Sequence, residues 1–208
     1  MALDLEDQEQ LDEFKVWWDK NGKQTVALVL AALLAYVVWQ GYQYSQHKNA
    51  VEASDIYQNM LQLDAEKVDL VKAEATKLMD SYSSTPYAGR AAVFLAKSNF
   101  AAEDAKSAKF QLEWAIANAQ ETSVKAVASL QLATLLFGEE AFANAEKILS
   151  ADIDQGYLGL KNGLLGDIYV AQGKTSEAKK AYENALTYLD TEGRLRLFTQ
   201  QKLDALGN

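Results

Sequence analysis

The residues that could carry chemistry are few in this sequence and lie far apart. The chain has one histidine, His47, and no cysteine, so it offers no thiolate nucleophile and no disulfide. One histidine without clustered carboxylates is a poor metal site. Asp152 and Asp154, with Glu183 or Glu192, are candidate calcium ligands, but we do not expect them to form a calcium site.

Sequence motifs for catalysis or nucleotide binding are also missing. The chain has no GxSxG, HExxH, phosphate-loop or dinucleotide-binding fingerprint. Gly156, Gly159, Gly163 and Gly166 are spaced like a turn and a helix-packing surface, with no strand before them. Glu139-Glu140 falls in a predicted turn and is expected to be solvated. The sequence therefore predicts a protein that is not an enzyme and uses no cofactor and no metal.

The composition indicates a helical protein that does not bind nucleic acid. The 208 residues carry a formal net charge of -9 and no basic patch, which argues against nucleic acid and against docking on anionic lipid. One proline and eleven glycines among abundant Ala, Leu, Gln, Lys and Glu favour helix throughout. The lack of cysteine is compatible with an oxidising compartment.

An apolar stretch, Thr25–Tyr44, organises the rest of the chain. No charged residue or histidine occurs between Lys23 and His47, and about 20 helical residues cross a bilayer core roughly 30 Å thick. A cleaved signal peptide and a buried core helix are the alternatives. A signal peptide has a shorter apolar region followed by small residues, whereas here bulky residues follow and acidic ones precede. We predict an uncleaved transmembrane helix over residues 24–46, with an aromatic belt at its C-terminal end formed by Tyr36, Trp39, Tyr42 and Tyr44.

The lysines that flank this stretch predict its orientation. Lys15, Lys20 and Lys23 precede it, and only Lys48 follows within about twenty residues. Because positive flanks stay in the cytoplasm, residues 1–23 should be cytoplasmic. Residues 47–208 should form a domain on the far side of the membrane.

The cytoplasmic segment has an aromatic cluster. Residues 1–10 are acidic and predicted to be disordered, whereas Leu11, Phe14 and Trp18 share one helical face with Trp17 beside them. This pattern fits a short amphipathic helix at the membrane surface, and it equally fits tryptophans that anchor the end of the span. The Asn21-Gly22 pair that follows predicts a helix stop.

Small residues recur on one face of the predicted span. Ala27, Ala31 and Ala35 are four residues apart, with Val29 and Leu33 (and Val37) on the opposite side. Small residues let helices approach closely in a bilayer, so this stripe is a candidate packing surface for another membrane helix. Alanine is also common in membrane helices without such a role, and the sequence leaves both interpretations open.

The chain continues as helix after the span. Ser45–Leu63 contains no helix breaker, Asp64–Ala65 weakly marks a turn, and Val68–Tyr82 is predicted to be a second helix. Its apolar face comprises Val68, Val71, Ala75, Leu78 and Met79. Thr85 is then the predicted N-cap of a third helix, with Pro86 in its first turn.

An internal repeat begins at Pro86. The tetratricopeptide repeat is a 34-residue helix–turn–helix with small and large apolar residues at fixed positions, and Lys161–Asp190 matches it almost throughout. Leu95, Leu132 and Leu165 begin three units that are 37 and 33 residues apart. The predicted packing residues are Leu95, Ala96 and Ala108 in the first unit, Leu132, Ala133 and Ala145 in the second, and Leu165, Gly166, Tyr169, Ala178, Tyr182 and Ala185 in the third.

The middle and last parts of the repeat region depart from this pattern. Asp152 replaces a small residue of the middle unit, so its second helix should end near Ala151. Gly193–Leu206 carries Leu195, Phe198, Leu203 and Leu206 on one face and basic or polar residues elsewhere. We predict that this segment is the helix that caps the stack, because repeat arrays need a solvated end. The predicted fold is all-α, with one transmembrane helix followed by a tetratricopeptide-like α-solenoid.

The order of these features resembles the YfgM family of Gram-negative bacteria. FKVWWDKNGK is followed by a single span, then AVEASDIYQNML, degenerate tetratricopeptide units and the tail RLRLFTQQKLDAL. The FxxWWxxNGK stretch is the more distinctive part, although family members often carry Phe-Phe there. The similarity covers nearly the whole chain, whereas the repeats alone would be generic.

The resemblance implies an inner-membrane protein with a periplasmic repeat domain. The family is an ancillary subunit of the SecYEG translocon and acts with PpiD, a membrane-anchored periplasmic chaperone, on unfolded secreted proteins as they emerge. A second implied role is regulation of envelope-stress signalling through the Rcs response regulator, for which the cytoplasmic residues 1–22 would be the contact. The family has no known catalytic residues, so the resemblance assigns none to this sequence.

Overall fold

The computed structural model describes residues 2–63 and 67–207, and the side chains of residues 9–63, 67 and 69–207. All regular structure in these ranges is helical, which confirms the predicted all-α class. The helices are α1 (Ala2–Leu61), α2 (Val68–Ser81), α3 (Pro86–Ala101), α4 (Ala105–Asn118), α5 (Thr122–Gly138), α6 (Phe142–Ser150), α7 (Leu158–Ala171), α8 (Thr175–Tyr188) and α9 (Arg194–Ala205), with a 3-10 turn at Gln155–Tyr157. The chain divides into two compact units, Met1–Lys48 and Asn49–Asn208.

Helix α1 begins earlier than the sequence predicts. Disorder was expected for residues 1–10, but α1 is helical from Ala2, so that prediction is wrong for residues 2–10. The residue types explain the difference, because Ala, Leu, Glu and Gln are good helix formers. Acidic residues near a helix N-terminus also interact favourably with its dipole.

Helix α1 also continues through Asn21-Gly22. The predicted helix stop at this pair is therefore wrong. Asn21 donates from Nδ2 to the carbonyl oxygen of Trp17 at 3.1 Å, so its side chain bonds within the helix instead of ending it. A Cβ atom at Gly22 would lie 3.1 Å from the indole of Trp18. The glycine thus gives the tryptophan ring a place to lie against the helix.

The first core of the second unit forms where α2 meets its neighbours. The helix predicted over Val68–Tyr82 is confirmed as α2, which ends at Ser81. The side chain of Val68 and the predicted turn at Asp64–Ala65 lie outside the described residues. Of the other members of the predicted face, Val71, Ala75 and Leu78 are buried with residues of α1 and α3: Ala53, Met60, Ala91 and Leu95. Met79 is buried in the neighbouring cluster, with Ala92 and Ala96.

Helix α3 begins at the predicted place. Thr85 is its N-cap residue and Pro86 occupies the first turn. The Thr85 hydroxyl does not cap the helix but donates to the carbonyl oxygen of Tyr82 at 2.7 Å. The threonine therefore fastens the turn between α2 and α3.

Three helix pairs, α3–α4, α5–α6 and α7–α8, form the repeats. Each pair is closed by one residue with a left-handed backbone: Glu103 (φ 62°), Glu140 (φ 58°) and Gly173 (φ 73°). The amide of the next residue then donates to a carbonyl five residues back in every turn, at 2.9 Å, 2.9 Å and 2.8 Å. This closure is the Schellman motif, and its recurrence shows that the three units share one register.

The middle repeat is shortened as predicted. Its second helix, α6, spans only Phe142–Ser150 with Ala151 as C-cap residue. Ala145 and Leu149 are buried against Ala133 and Ile168. The small residues of α5 and α6 therefore still let α7 pack on this pair.

The last helix, α9, buries only part of its apolar face. Leu195 and Phe198 are 52% and 55% exposed. The buried position is Thr199, with Leu203 and Leu206 half-buried on the same side. Polar contacts also hold this helix. Lys202 reaches a carboxylate of α7 and Arg196 donates to the carbonyl oxygen of Leu186.

Candidate functional site

The apolar part of α1 is the first candidate interaction surface. One helix in the described part of the chain is long and apolar enough to cross a membrane, and no residue of its most apolar window is buried. Ala27, Ala31 and Ala35 are exposed on one face, and Leu33 on the other is 56% exposed. Apolar side chains exposed along a whole helix need lipid or another helix around them.

Aromatic residues mark both ends of this helix segment. Phe14, Trp17 and Trp18 have ring centroids 6.0 to 6.3 Å apart. At 1.5 Å per residue, Trp18 and Tyr44 lie about 39 Å apart along the helix, close to the roughly 40–45 Å of a bilayer with its headgroups. Because α1 is unbroken between them, the aromatic clusters are spaced to lie at the two membrane surfaces.

The second unit buries most of the residues that the repeat pattern singles out. Leu95, Ala96, Ala108, Leu132, Ala133, Ala145, Gly166, Ala178, Tyr182 and Ala185 are buried. Leu165 and Tyr169 are only half-buried, and Ile168 on the same helix is fully buried instead. The repeat pattern gives Ile168 no role, so sequence reasoning missed it.

A glycine and a tyrosine pack tightly where α7 meets α8. A Cβ atom at Gly166 would lie 2.3 Å from the ring of Tyr182. The Tyr182 hydroxyl donates to Oδ1 of Asp167 at 2.7 Å, and Lys202 of α9 donates to both oxygens of that carboxylate at 2.6 and 2.7 Å. Burial and the Asp167 hydrogen bond raise the pKa of the Tyr182 phenol. The Asp167 carboxylate thus joins α7, α8 and α9. The repeat pattern of the sequence does not predict this contact.

A groove follows one face of α3 and α5. A cavity of about 560 Å³ lies between α3, α4 and α5, and a second of about 300 Å³ continues along the same helices. Lys97 and Gln131 line both cavities. Along α3 the lining residues include Arg90, Lys97 and Phe100, which are spaced to share a helix face. The two cavities therefore lie side by side along α3 and α5, with Lys97 and Gln131 between them.

Two of the cations beside this groove have carboxylate partners. Arg90 donates from Nε and Nη2 to Glu121, both at 2.7 Å, and this guanidinium lowers the pKa of the Glu121 carboxyl group. Lys109 donates to both oxygens of Glu139, at 2.8 and 2.7 Å. Both ion pairs tie the first repeat to the second. Lys97 also lines the groove. Among the described residues it forms no ion pair with a carboxylate.

The carboxylates considered for calcium are used elsewhere. Asp154 accepts from the Gly156 amide and from the Thr122 hydroxyl, both at 3.0 Å, and so caps the 3-10 turn and fastens it to α5. Asp152, Glu183 and Glu192 are not drawn together with it: within the described residues, no group of three His, Cys, Asp or Glu side chains could hold a metal ion.

Comparison with protein families identifies the repeat architecture. A family model described as a tetratricopeptide repeat-like domain matches residues 15–208. Among solved structures, a putative kinesin light chain from Podosopora anserina with nearly identical tetratricopeptide-like repeats is similar with a TM-score of 0.52. The similarity covers 77% of this chain and 84% of that one at 18% sequence identity, and it supports the fold alone.

Three curated relatives are similar over nearly their whole length, and all carry the description "Ancillary SecYEG translocon subunit". The Neisseria gonorrhoeae protein is 30% identical over 99% of this chain and 100% of its own. The Haemophilus influenzae protein is 25% identical over 89% and 91%. The Escherichia coli protein is 26% identical over 88% of each chain.

Proposed function

Since the chain belongs to the family of ancillary SecYEG translocon subunits, we propose that it is a membrane-anchored, non-catalytic scaffold and chaperone-like subunit of the translocon. Helix α1 holds the protein in the inner membrane, and the repeat unit works on secreted chains as they emerge into the periplasm. The observation that carries this proposal is the full-length similarity to translocon subunits, from the aromatic cluster to α9. The exposed apolar helix and the open groove supply the two surfaces that such a role needs.

Tethering makes weak binding by the repeat unit sufficient. A membrane anchor beside the translocon raises the effective concentration of the groove near each emerging chain. Modest affinity then allows capture and release without an energy source. The same reasoning supports PpiD, a second tethered periplasmic chaperone, as a neighbour that shares substrates with this protein.

The alanine stripe of α1 is our proposed contact with a translocon or PpiD helix. Ala31→Leu would place a branched side chain in the middle of the stripe while keeping the span apolar, so insertion should survive and copurification should weaken. Leu33→Ala, on the other side, is the control. If both variants copurify with SecYEG and PpiD like the parent, the stripe is not the contact.

Photo-crosslinking in cells is the test of the proposed function. A photoreactive amino acid at Phe100, on the groove, should crosslink to SecYEG or to exported chains. The same amino acid at the exposed Lys180 of α8 is the control for random collision. Crosslinks to translocon and exported proteins from Phe100 above the Lys180 level support the role. Equal yields from both positions, or none to these partners, would overturn it.

Regulation of a cytoplasmic signalling protein is a second candidate function. The observation that favours it is the cluster of Phe14, Trp17 and Trp18, whose rings are about half exposed on the predicted cytoplasmic side. Replacing the three by serine retains the lysines that set orientation. If envelope-stress output changes while translocon copurification does not, the two roles are separable. If neither changes, the cluster serves only the membrane.

A further inference from the structure

The groove along α3 and α5 has the chemistry of a site for one class of polypeptide segment. Its larger cavity is floored by Ala96, Leu112 and Leu135 and edged by Phe100, whose side chain is 56% exposed. At Gly138 a Cβ atom would meet nothing within 4 Å. A volume of about 560 Å³ is in the usual range of ligand pockets. The lining is largely apolar, so a large apolar side chain would gain most from entering it.

The polar residues of the groove favour a polypeptide over a lipid. Gln131 of α5 lines both cavities, Ser123 lines the smaller one and Thr134 the larger one. The Gln131 amide can donate to and accept from a peptide backbone, and the Thr134 hydroxyl, which donates to the carbonyl oxygen of Leu130, can still accept. An acyl chain has no groups that would use them. Because the two cavities share Lys97 and Gln131, an extended segment that lies along α5 can place a side chain in the larger cavity.

The charged residues of the groove determine which residue of a bound segment is favoured next to the apolar side chain in the larger cavity. Arg90 is paired with Glu121, and Glu139 with Lys109. Lys97 lies where the two cavities meet and makes no ion pair among the described residues. Lys97 therefore supplies an exposed positive charge at the edge of an apolar cavity.

We infer that this groove binds segments of unfolded chains in which a large apolar side chain is followed by an acidic one, the first in the cavity beside Gly138 and the second at Lys97. The inference rests on the proposed chaperone-like function and specifies its substrate class. It also predicts discrimination, because a basic neighbour would be repelled by Lys97.

Binding of labelled peptides to the full chain in nanodiscs tests this inference. The probes are fluorescein-labelled ten-residue peptides, Ser/Gly-rich, that contain Trp-Asp-Ser-Asp, Trp-Lys-Ser-Lys or Ser-Asp-Ser-Asp, with empty nanodiscs as the blank. Fluorescence anisotropy should show the first bound tightest. Loss of the tryptophan should weaken binding about tenfold or more, and exchange of aspartate for lysine about two- to fivefold.

Two glycine variants separate the groove from the rest of the surface. Gly138→Leu fills the larger cavity from an open position of α5, and it should abolish the preference for tryptophan. Gly163→Leu, in α7, is the matched control because a Cβ atom there also meets nothing within 4 Å. The melting temperature from circular dichroism should be no lower for either variant than for the parent, because leucine is a better helix former than glycine. Equal peptide affinity of the two variants would overturn the inference.

Charge reversal gives the sharpest outcome. Lys97→Glu should invert the preference, so that the Trp-Lys-Ser-Lys peptide binds tighter than its aspartate counterpart. An unchanged preference would contradict the role of Lys97.

If Gly138→Leu instead changes the oligomeric state in sedimentation, the occupant is a second copy of the chain and the inference fails. Photo-crosslinking to the translocon can succeed while these peptide results fail, so the inference and the proposed function stand or fall separately.

Discussion

Two apolar helices of this chain, α1 and α5, have opposite surroundings. In α1 every residue from Val26 to Tyr44 is exposed, whereas α5 buries Ala126, Ala128, Leu132 and Ala133 among neighbouring helices. Alanine in α5 lets helices pack closely around it, and alanine in α1 faces nothing within its own unit. Apolar composition alone therefore does not decide what covers a helix. The repeat pattern around α5 supplies protein neighbours, whereas the exposed apolar stretch of α1 needs lipid or another helix around it.

The largest effect should come from overpacking a buried alanine. Ala178 is fully buried between repeat helices, so Ala178→Phe should destabilise the repeat unit by about 3 kcal/mol. This corresponds to a fall in melting temperature of roughly 6–12 °C. The measurement is thermal unfolding of the full chain in detergent, followed by circular dichroism. Ala32→Phe, on the exposed surface of α1, should leave the transition unchanged. Equal shifts would mean that α1 is packed like the repeats.

Two glycines provide the next contrast. Gly166→Ala places a Cβ atom 2.3 Å from the buried ring of Tyr182. The clash should outweigh the gain in helix propensity and leave a net loss of about 1–2 kcal/mol. At Gly41 of α1 a Cβ atom meets nothing within 4 Å, so Gly41→Ala should cause no loss of stability when the variants are unfolded with urea. A stabilised Gly166→Ala variant would show that the α7–α8 contact is looser than described.

A smaller effect is expected where the repeat unit closes its own end. Lys202→Met keeps the stem of the side chain but removes the bond to Asp167, which should cost about 1 kcal/mol. The loss should be local, so hydrogen exchange should speed up in α9 while the α3–α4 amides stay protected. Lys180→Met, on the exposed face of α8, is the control. If α9 exchanges at the same rate in both variants, the ion pair does not hold the helix.

The smallest effect concerns pH. Arg90 lowers the pKa of Glu121 in the folded protein, so this pair stabilises the fold above the ordinary glutamate pKa of about 4.3. The contribution is lost as the pH falls through the lower folded-state value. Both side chains are partly exposed, with 43% and 29% of their area accessible, so we expect only about 0.5–1 kcal/mol.

Urea titrations at pH 7 and pH 3 measure this contribution. Glu121→Gln should lower the urea midpoint at pH 7 and not at pH 3. Asp12→Asn is the control, because its ion pair with Lys15 is more than 70% exposed and lies within α1. A Glu121→Gln effect of the same size at both pH values would show that the pair acts through packing and not through charge.

Sequence reasoning recovered the backbone of the fold because its signals are local. Small residues at repeat intervals predicted the packing of Ala133 and Ala178, and the departure at Asp152 predicted the short α6. The family resemblance drawn from the aromatic cluster, the span and the repeats is confirmed by the full-length relatives. These features depend on residues that are close in sequence or recur in a fixed register.

What the sequence did not show depends on contacts between distant positions. Asp167 and Lys202 meet across 35 residues, and Leu195 and Phe198 of the same helix as Lys202 are exposed. The groove also lacks a motif, since Lys97 and Gly138 come together only when α3 packs beside α5. Asn21 and Gly22 are common helix-stop residues, yet their contacts with Trp17 and Trp18 keep α1 helical.

The most direct test of the account asks on which side of the membrane residue 208 lies. Our claim is that α1 crosses the inner membrane with its lysine-flanked end inside and carries the repeat unit to the periplasm. Alkaline phosphatase is active only after export, and green fluorescent protein fluoresces only when it folds in the cytoplasm. A fusion to residues 1–23 alone, which lacks the span, is the cytoplasmic control. We expect an active phosphatase and a dark fluorescent protein when each is fused after residue 208. An inactive phosphatase with a fluorescent partner fusion would contradict it.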